Sequence, residues 1–422
     1  MVARWLVVAA ALACAACGGP PANVLTFSGS AVGKEADLVR RQLDRFAALH
    51  PGLSVELRAT PDAADQRHQL YVQWLNARAE QPDVLQLDVI WTPEFAAAGW
   101  ILPLSRFHPD AGAYFPAALA ANRWRGALYA LPWFVDVGML YWRTDLLARA
   151  PTTFAELTDE TERAMHASGV PYGFVWQGAR YEGLVTSFLE VLGGFGGRML
   201  DEQGRVSVDS EAAVQALRYL RDSIYGDGHV VPPAVLTWQE EQARFAFQNG
   251  EAVLMRNWPY AVPLLGDAAH SQVASRFAVA AMPSAPGGAP TAALGGSQLA
   301  INARSRHPDL AYALVTYLTA PDQMIERARE VGQYPARPAL YDTPALADAL
   351  GVPPGEVRRI IERAVARPVT PVYTQLSEIL QVHLHRALTR QEEPREALRE
   401  AARGMRALLA RTGLASPREA TP

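Results

Sequence analysis

From residue 24 to residue 88 the chain alternates short apolar strands with amphipathic helices, and this alternation restricts its fold more than any other feature. Val24-Leu25-Thr26-Phe27 reads as a strand, and residues 35–50 place Val39, Leu43, Phe46 and Leu49 on one helical face before Pro51-Gly52 ends the run. Leu53, Val55 and Leu57 then alternate as a second strand. A further helix over about residues 65–79 precedes the strand Val84-Leu85-Gln86-Leu87. Strand-helix-strand units of this kind predict an α/β layer with a mainly parallel sheet, whose ligands sit beyond the carboxyl ends of the strands.

The same patterns continue. Aromatic-rich strands are predicted over 128–141, 173–176 and 277–282, and helices over 309–319, 356–366 and 374–390. Glycine- and proline-rich breaks fall at 281–296 and 332–338, and Gly193-Gly194-Phe195-Gly196-Gly197 reads as a loop joining two elements. With 422 residues the chain exceeds the usual size of one core, so two lobes are expected.

The N-terminus bears on location. Arg4 precedes the apolar run Trp5-Leu6-Val7-Val8, and the leader closes on Ala15-Ala16-Cys17-Gly18-Gly19. This pattern predicts a lipoprotein signal over residues 1–17 with lipid on Cys17, which would place the rest of the chain outside the cytoplasm, held at a membrane. An ordinary secretory cut after the small residues, or an uncleaved anchor, is the alternative. Cys14 and Cys17 are the two cysteines, so leader removal and acylation would leave a body without disulfides, dependent on packed cores. Residues 415–422 read as a disordered tail.

Composition excludes several classes. Half the residues are hydrophobic and 19% are charged, as in a packed globule, and beyond the leader no apolar run reaches the length of a membrane span. A net charge of -4 gives no footprint for nucleic acid, and the arginines of 358–367 and 395–411 alternate with acids as solvated helix faces do. The segment Gly29-Ser30-Ala31-Val32-Gly33-Lys34-Glu35 has the context of a phosphate loop, but it is one residue short and carries Glu35 where a hydroxyl should hold magnesium. A polar neutral ligand suits that helix start better, beside the plain alternative of a first-turn acid favoured by the helix dipole. His383 and His385 lie two apart in a helical pattern and make no metal motif, and there is no Gly-x-Ser-x-Gly elbow. No metal and no cofactor is expected.

What remains is acids set among aromatics. Asp88 ends an apolar strand, Asp136 interrupts Trp133-Phe134-Val135-Asp136-Val137, and Trp258 and Tyr260 stand in Arg256-Asn257-Trp258-Pro259-Tyr260. A carboxylate in apolar surroundings needs hydrogen-bond donors. Sugar hydroxyls donate in pairs to carboxylates, guanidinium donates to hydroxyl oxygens, and the C–H faces of a pyranose lie on aromatic rings. For any one acid alone, an internal salt bridge or a cap serves equally well.

The runs Asp83-Val84-Leu85-Gln86-Leu87-Asp88-Val89-Ile90-Trp91, Gly99-Trp100-Ile101-Leu102-Pro103-Leu104, Tyr129-Ala130-Leu131-Pro132-Trp133-Phe134-Val135-Asp136, Gly173-Phe174-Val175-Trp176-Gln177-Gly178 and Arg256-Asn257-Trp258-Pro259-Tyr260-Ala261 resemble the extracellular solute-binding proteins, family 1, of carbohydrate ABC importers, within them the trehalose/maltose-binding branch. The resemblance spans nearly the whole mature chain. It implies a two-lobed periplasmic-binding-protein-like α/β fold with a ligand cleft between the lobes and three hinge crossings, near 134–137, 294–297 and 332–335. The N-terminal lobe would comprise 23–134 and 297–331, the C-terminal lobe 137–293 and 335–414. Sugar-contacting positions carried over are Glu35, Asp88, Asp136, Trp258, Tyr260, Gly296 and Arg367, with Asp65, Trp176 and Tyr181 as further matches. After Gly295-Gly296 this chain has Ser297-Gln298 where the branch commonly has an aromatic, and Gln333 and Tyr334 also differ while Arg337 is kept.

The resulting expectation is a monomeric, lipid-anchored receptor for a disaccharide or small oligosaccharide, serving ABC permease subunits. The principal rival is an extracytoplasmic glycoside hydrolase using two of Glu35, Asp88 and Asp136 as a catalytic pair. A receptor for peptides, polyamines or chelated metal would show a more strongly charged site with fewer stacking rings.

Overall fold

Three strands at the start of the chain form the frame on which the rest assembles: β1 (Asn23–Ser30), β2 (Leu53–Thr60) and β3 (Val84–Asp88). Helices Gly33–Ala48 and Ala64–Asn76 connect them, and β1 pairs in parallel with both neighbours. The computed structural model describes residues 23–30, 33–61 and 64–415. The leader with Cys17 and residues 416–422 of the tail lie outside the described residues.

The remaining strands are β4 (Arg123–Trp124), β5 (Ala127–Leu128), β6 (Ala130–Val137), β7 (Met139–Arg143), β8 (Tyr172–Val175), β9 (Ala252–Asn257), β10 (Phe277–Ala280), β11 (Ala292–Ile301), β12 (Tyr334–Pro335) and β13 (Ala364–Val365). One seven-stranded sheet runs β12-β6-β11-β3-β1-β2 with β13 beside β11, and a four-stranded sheet runs β10-β7-β9-β8. The fold is a mixed α/β one. The first sheet is not mainly parallel as expected, because β11 runs antiparallel to β3 and to β6, and β12 antiparallel to β6. The early strands return through helical crossovers, which force parallel pairing, whereas β6 runs straight on into β7 of the other sheet and β11 arrives from β10 of that sheet without a helix between them, so neither carries that constraint.

The predicted run 128–141 is two strands in two sheets, broken at Gly138. A Cβ on Gly138 would stand 1.8 Å from Glu190 Oε1, so only glycine lets the chain pass from β6 to β7 here. β11 is the long central strand of the first sheet: its start pairs with β13 and its end with β3. At its middle Gly296 has φ +104°, and a Cβ there would meet the Phe134 carbonyl oxygen at 2.3 Å.

Two expectations are corrected locally. The helix expected over 356–366 runs only over Pro354–Glu362, since Ala364–Val365 is drawn into an edge pairing with β11. Gly193 and Gly194 belong to the end of helix Glu182–Gly194 rather than to a loop, because Thr291 and Phe154 pack where larger side chains would stand.

One core gathers Phe27, Val39, Phe46 and Trp133 from the first sheet and its helices, and extends to Tyr141 and Met255 of the second. Another packs helices Glu182–Gly194, Glu211–Tyr225, Tyr373–Leu388 and Pro394–Arg411 against β8 and β9 through Phe174, Phe188, Leu217, Leu384 and Leu398. The arginines of that last helix pair with acids as the sequence implied, Arg395 with Glu211 and Arg406 with Asp209.

Candidate ligand cleft

Three neighbouring strands of the first sheet bring their acids and glycines to one place. Asp88, the last residue of β3, lies opposite Ser297 in the β11 register, and Gly295 lies opposite Asp136 of β6. Facing them are Tyr181, Glu182, Gly183 and Thr186 at the start of helix Glu182–Gly194, Gln239 and Glu240 at the start of helix Glu240–Gln248, Trp258 and Tyr260 just after β9, and Arg367 just after β13. With Asp65 in the first turn of its helix, these groups surround a cavity of about 390 Å³, within the size range of small-molecule sites. A concavity of about 420 Å³ lies elsewhere, around Glu162, His166 and His229, but it is lined by no aromatic ring and by no expected site residue.

Of the ten expected contacts, Asp65, Asp88, Asp136, Tyr181, Trp258, Tyr260, Gly296 and Arg367 line the cavity. Glu35 and Trp176 do not. Trp176 is 1% exposed in the second core, where apolar neighbours suit its ring. Glu35 turns to a cation behind the wall: it accepts hydrogen bonds from Arg327 Nη2 at 2.9 Å and from Gln333 Nε2 at 3.0 Å. Arg327 is fully buried with its guanidinium carbon 3.7 Å from the Trp133 ring centroid. Burial lowers its pKa to about 10 against the opposing pull of Glu35. The pattern missed Glu182, Thr186, Gln239 and Glu240. Their only sequence signal is their position at helix starts, where free N–H groups favour polar ligands.

Arg367 spans the cavity. Its Nη1 donates to Glu182 Oε1 at 2.6 Å and its Nη2 to Asp88 Oδ1 at 3.3 Å. Burial opposes its charge, but Asp88, Glu182 and Tyr373 outweigh burial and hold its pKa above the usual arginine value. Glu182 also accepts from Tyr373 Oη at 2.7 Å and from the Ser377 hydroxyl.

Asp136 has no such donor among the described residues. Burial, then the charges of Asp88 and Glu35, push its carboxyl up from 3.8 to about 7, with Arg327 and Arg256 pulling the other way. Trp258 is fixed on several sides: its Nε1 donates to Glu240 Oε1 at 3.3 Å and its backbone carbonyl accepts from Tyr141 Oη at 2.7 Å. Tyr260 Oη donates to Glu241 at 2.6 Å. Ser297 and Gln298 are buried in the sheet, tied to Gln86 and Asn122, so the stacking surface in this cavity comes from Trp258, Tyr260 and Tyr181. Among the described residues no group of histidine, cysteine and acidic side chains is placed to hold a metal.

The sequence and fold are shared with known proteins. Residues 32–325 match the family of bacterial extracellular solute-binding proteins. The chain belongs to that family. It is 37% identical over 405 residues to a probable ABC transporter-binding protein of Deinococcus radiodurans, covering 92% of this chain and 94% of that one. MalE3 of T. maritima, solved with maltose bound, matches with a TM-score of 0.85 at 40% identity, covering 92% of this chain and 100% of that one. The GacH receptor of Streptomyces glaucescens matches in fold with a TM-score of 0.81 at 24% identity, over 92% of this chain and 98% of its own. The chain is therefore a two-lobed solute-binding protein of an ABC transporter, not an enzyme. No described helix is long and apolar enough to cross a membrane.

Proposed function

We propose that this protein is the lipid-anchored receptor of an ABC sugar importer, binding a disaccharide such as maltose or trehalose in the cleft and delivering it intact to the permease. The single observation that carries this reading is the Asp136 carboxyl, sunk in the cavity wall beside the Trp258 ring without a protein donor. A pyranose supplies both missing parts, hydroxyls for the carboxylate and a C–H face for the indole. The likeness to MalE3 solved with maltose bound supports the same class.

In this reading the lobes are 23–134 with 297–331 and 137–293 with 335–414, and the cleft opens and closes about the crossings at Gly138, Gly296 and Gly332. Sugar bound between the walls satisfies both and shifts the equilibrium toward the closed form that a permease recognises. The lipid on Cys17 holds the receptor at the membrane outside the cytoplasm, and the receptor acts as a monomer.

A thermal-shift panel of maltose, trehalose, sucrose, glucose and maltotriose tests the proposal. A ligand at one hundred times its Kd stabilises the folded state by about 2.7 kcal/mol, so the cognate disaccharide raises the melting temperature by a few degrees without releasing reducing ends. Absence of any shift with all five sugars, alongside a shift with a polyamine or peptide, would overturn it.

A further inference from the structure

Behind the Trp258 ring lies a buried ion pair that takes no part in lining the cavity. Arg256 Nε donates to Glu190 Oε2 at 2.8 Å, and Arg256 Nη1 donates to Gln177 Oε1 at 3.0 Å, while Gln177 Nε2 donates to the Arg256 carbonyl at 3.1 Å. Both charged side chains are within 1% of full burial. The guanidinium carbon stands 3.9 Å from the Trp258 ring centroid. A buried ion pair adds little net stability over apolar side chains of similar volume, so its presence here calls for another account.

The contacts of Glu190 supply one. Its Oε1 accepts the Ala293 backbone N–H at 3.1 Å, at the start of β11, the strand that pairs with β6. The same oxygen lies where a Cβ of Gly138 would stand, at the passage between the sheets. Glu190 itself belongs to the helix whose first turns line the cavity with Glu182, Gly183 and Thr186. A single carboxylate thus touches the passage between the sheets at Gly138, the start of β11 and, through Arg256, the back of the stacking ring.

We propose that Glu190 and Arg256 are positioning residues for ligand recognition, fixing the tilt of the Trp258 ring in the frame of the two crossing strands so that ring and hinge move as one body. This rests on the reading of Trp258 as a sugar-stacking residue. The pair touches no ligand. It acts by holding the indole plane and by letting a change at Gly138 or Ala293 reach the ring without slack.

The test compares the wild type with the double variant Glu190→Leu/Arg256→Met, with Trp258→Ala as control. Melting temperature, maltose affinity by calorimetry, and the near-ultraviolet circular dichroism contributed by Trp258 (each protein against its Trp258→Phe counterpart) are the readouts. Removing both charges together keeps the melting temperature near that of the wild type. Maltose affinity falls by about ten-fold, the scale of one aromatic stack, and the Trp258 signal changes in the unliganded protein. A double variant that binds maltose as the wild type does, with Trp258→Ala weakened, overturns this inference and leaves the sugar reading intact. Unchanged binding in Trp258→Ala, or no binding by the wild type, overturns the sugar-stacking reading instead. Should the double variant fail to fold, Glu190→Asp carries the same comparison, because it keeps the charge opposite Arg256 and draws the carboxylate back by one methylene from Ala293 and the guanidinium. Wild-type affinity with an unaltered Trp258 signal then refutes the positioning role.

Discussion

Asp136→Asn isolates the one carboxyl that the cleft leaves without a protein donor. In the unliganded protein that carboxyl titrates near 7, raised first by burial and then by Asp88 and Glu35. The folded state thus keeps its proton up to about pH 7, whereas the unfolded chain releases it near 3.8. The resulting contribution to stability is fully present at low pH and is lost as the pH rises through 7. Binding has the opposite sign: hydroxyl donors favour the ionised form, so sugar lowers the Asp136 pKa and expels the proton below pH 7. Affinity therefore falls toward ten-fold per pH unit on the acid side. Between pH 8 and pH 5.5 the wild type loses about thirty-fold, the one and a half units below 7 taken as a power of ten. The asparagine, with one acceptor oxygen in place of two, binds more weakly at pH 8 and shows no such slope. Calorimetry across that pH range, in two buffers of different ionisation enthalpy, measures both the slope and the proton released. A wild-type affinity flat with pH, or the same slope in the variant, would refute the reasoning.

Two further perturbations probe the frame of the cleft. Gly296→Ala places a Cβ 2.3 Å from the Phe134 carbonyl at φ +104°, a backbone strain of about 1–3 kcal/mol before the clash is counted. Thermal melting is expected to drop and sugar affinity with it, and a variant as stable as the wild type speaks against the tight crossing at this residue. Arg367→Lys replaces a fork that reaches Glu182 and Asp88 together with a point charge that serves one of them. Loss of one charge-assisted hydrogen bond, about 1.5–3 kcal/mol, weakens sugar binding by roughly ten-fold or more. Equal calorimetric affinities for lysine and arginine would show that the bridge across the cavity contributes nothing to recognition.

The sequence carried much of this architecture because its periodicities are physical. Strand β3 reads Val84-Leu85-Gln86-Leu87 before Asp88, apolar at three of its first four positions, as a strand buried on both sides tends to read, with Gln86 bonded to Ser297. Asp136, Trp258 and Tyr260 line one cavity, and they were legible together because several acids stood among rings, where any one alone would have suited a salt bridge or a cap. The errors share a cause in long-range contact. Trp176 closes the aromatic-rich run 173–176, one residue past β8, but alternation marks two faces without saying which one meets the core. Glu35 was placed toward the ligand, whereas Arg327 and Gln333, 292 and 298 residues away, draw it behind the wall. Glu182 and Glu240 were missed because nothing local distinguishes a helix-start acid that caps its own helix from one that faces another lobe.

The charges on the two walls show why closure should wait for a ligand. Asp65, Asp88, Asp136, Glu182 and Glu240 line one cavity together with a single cation, Arg367. Arg367 already bonds Asp88 and Glu182, so its donors are committed to acids that face each other across the gap. Drawing the walls together in water alone would crowd the remaining carboxyls, on top of the burial and then the neighbouring Asp88 and Glu35 charges that already raise Asp136 within its own wall. A neutral guest with many hydroxyls removes the difficulty, because it donates to both walls and adds no charge of its own. An anionic guest would add to the repulsion. On the proposed reading, a preference for a neutral, hydroxyl-rich ligand and closure around it would follow from this one distribution of acids.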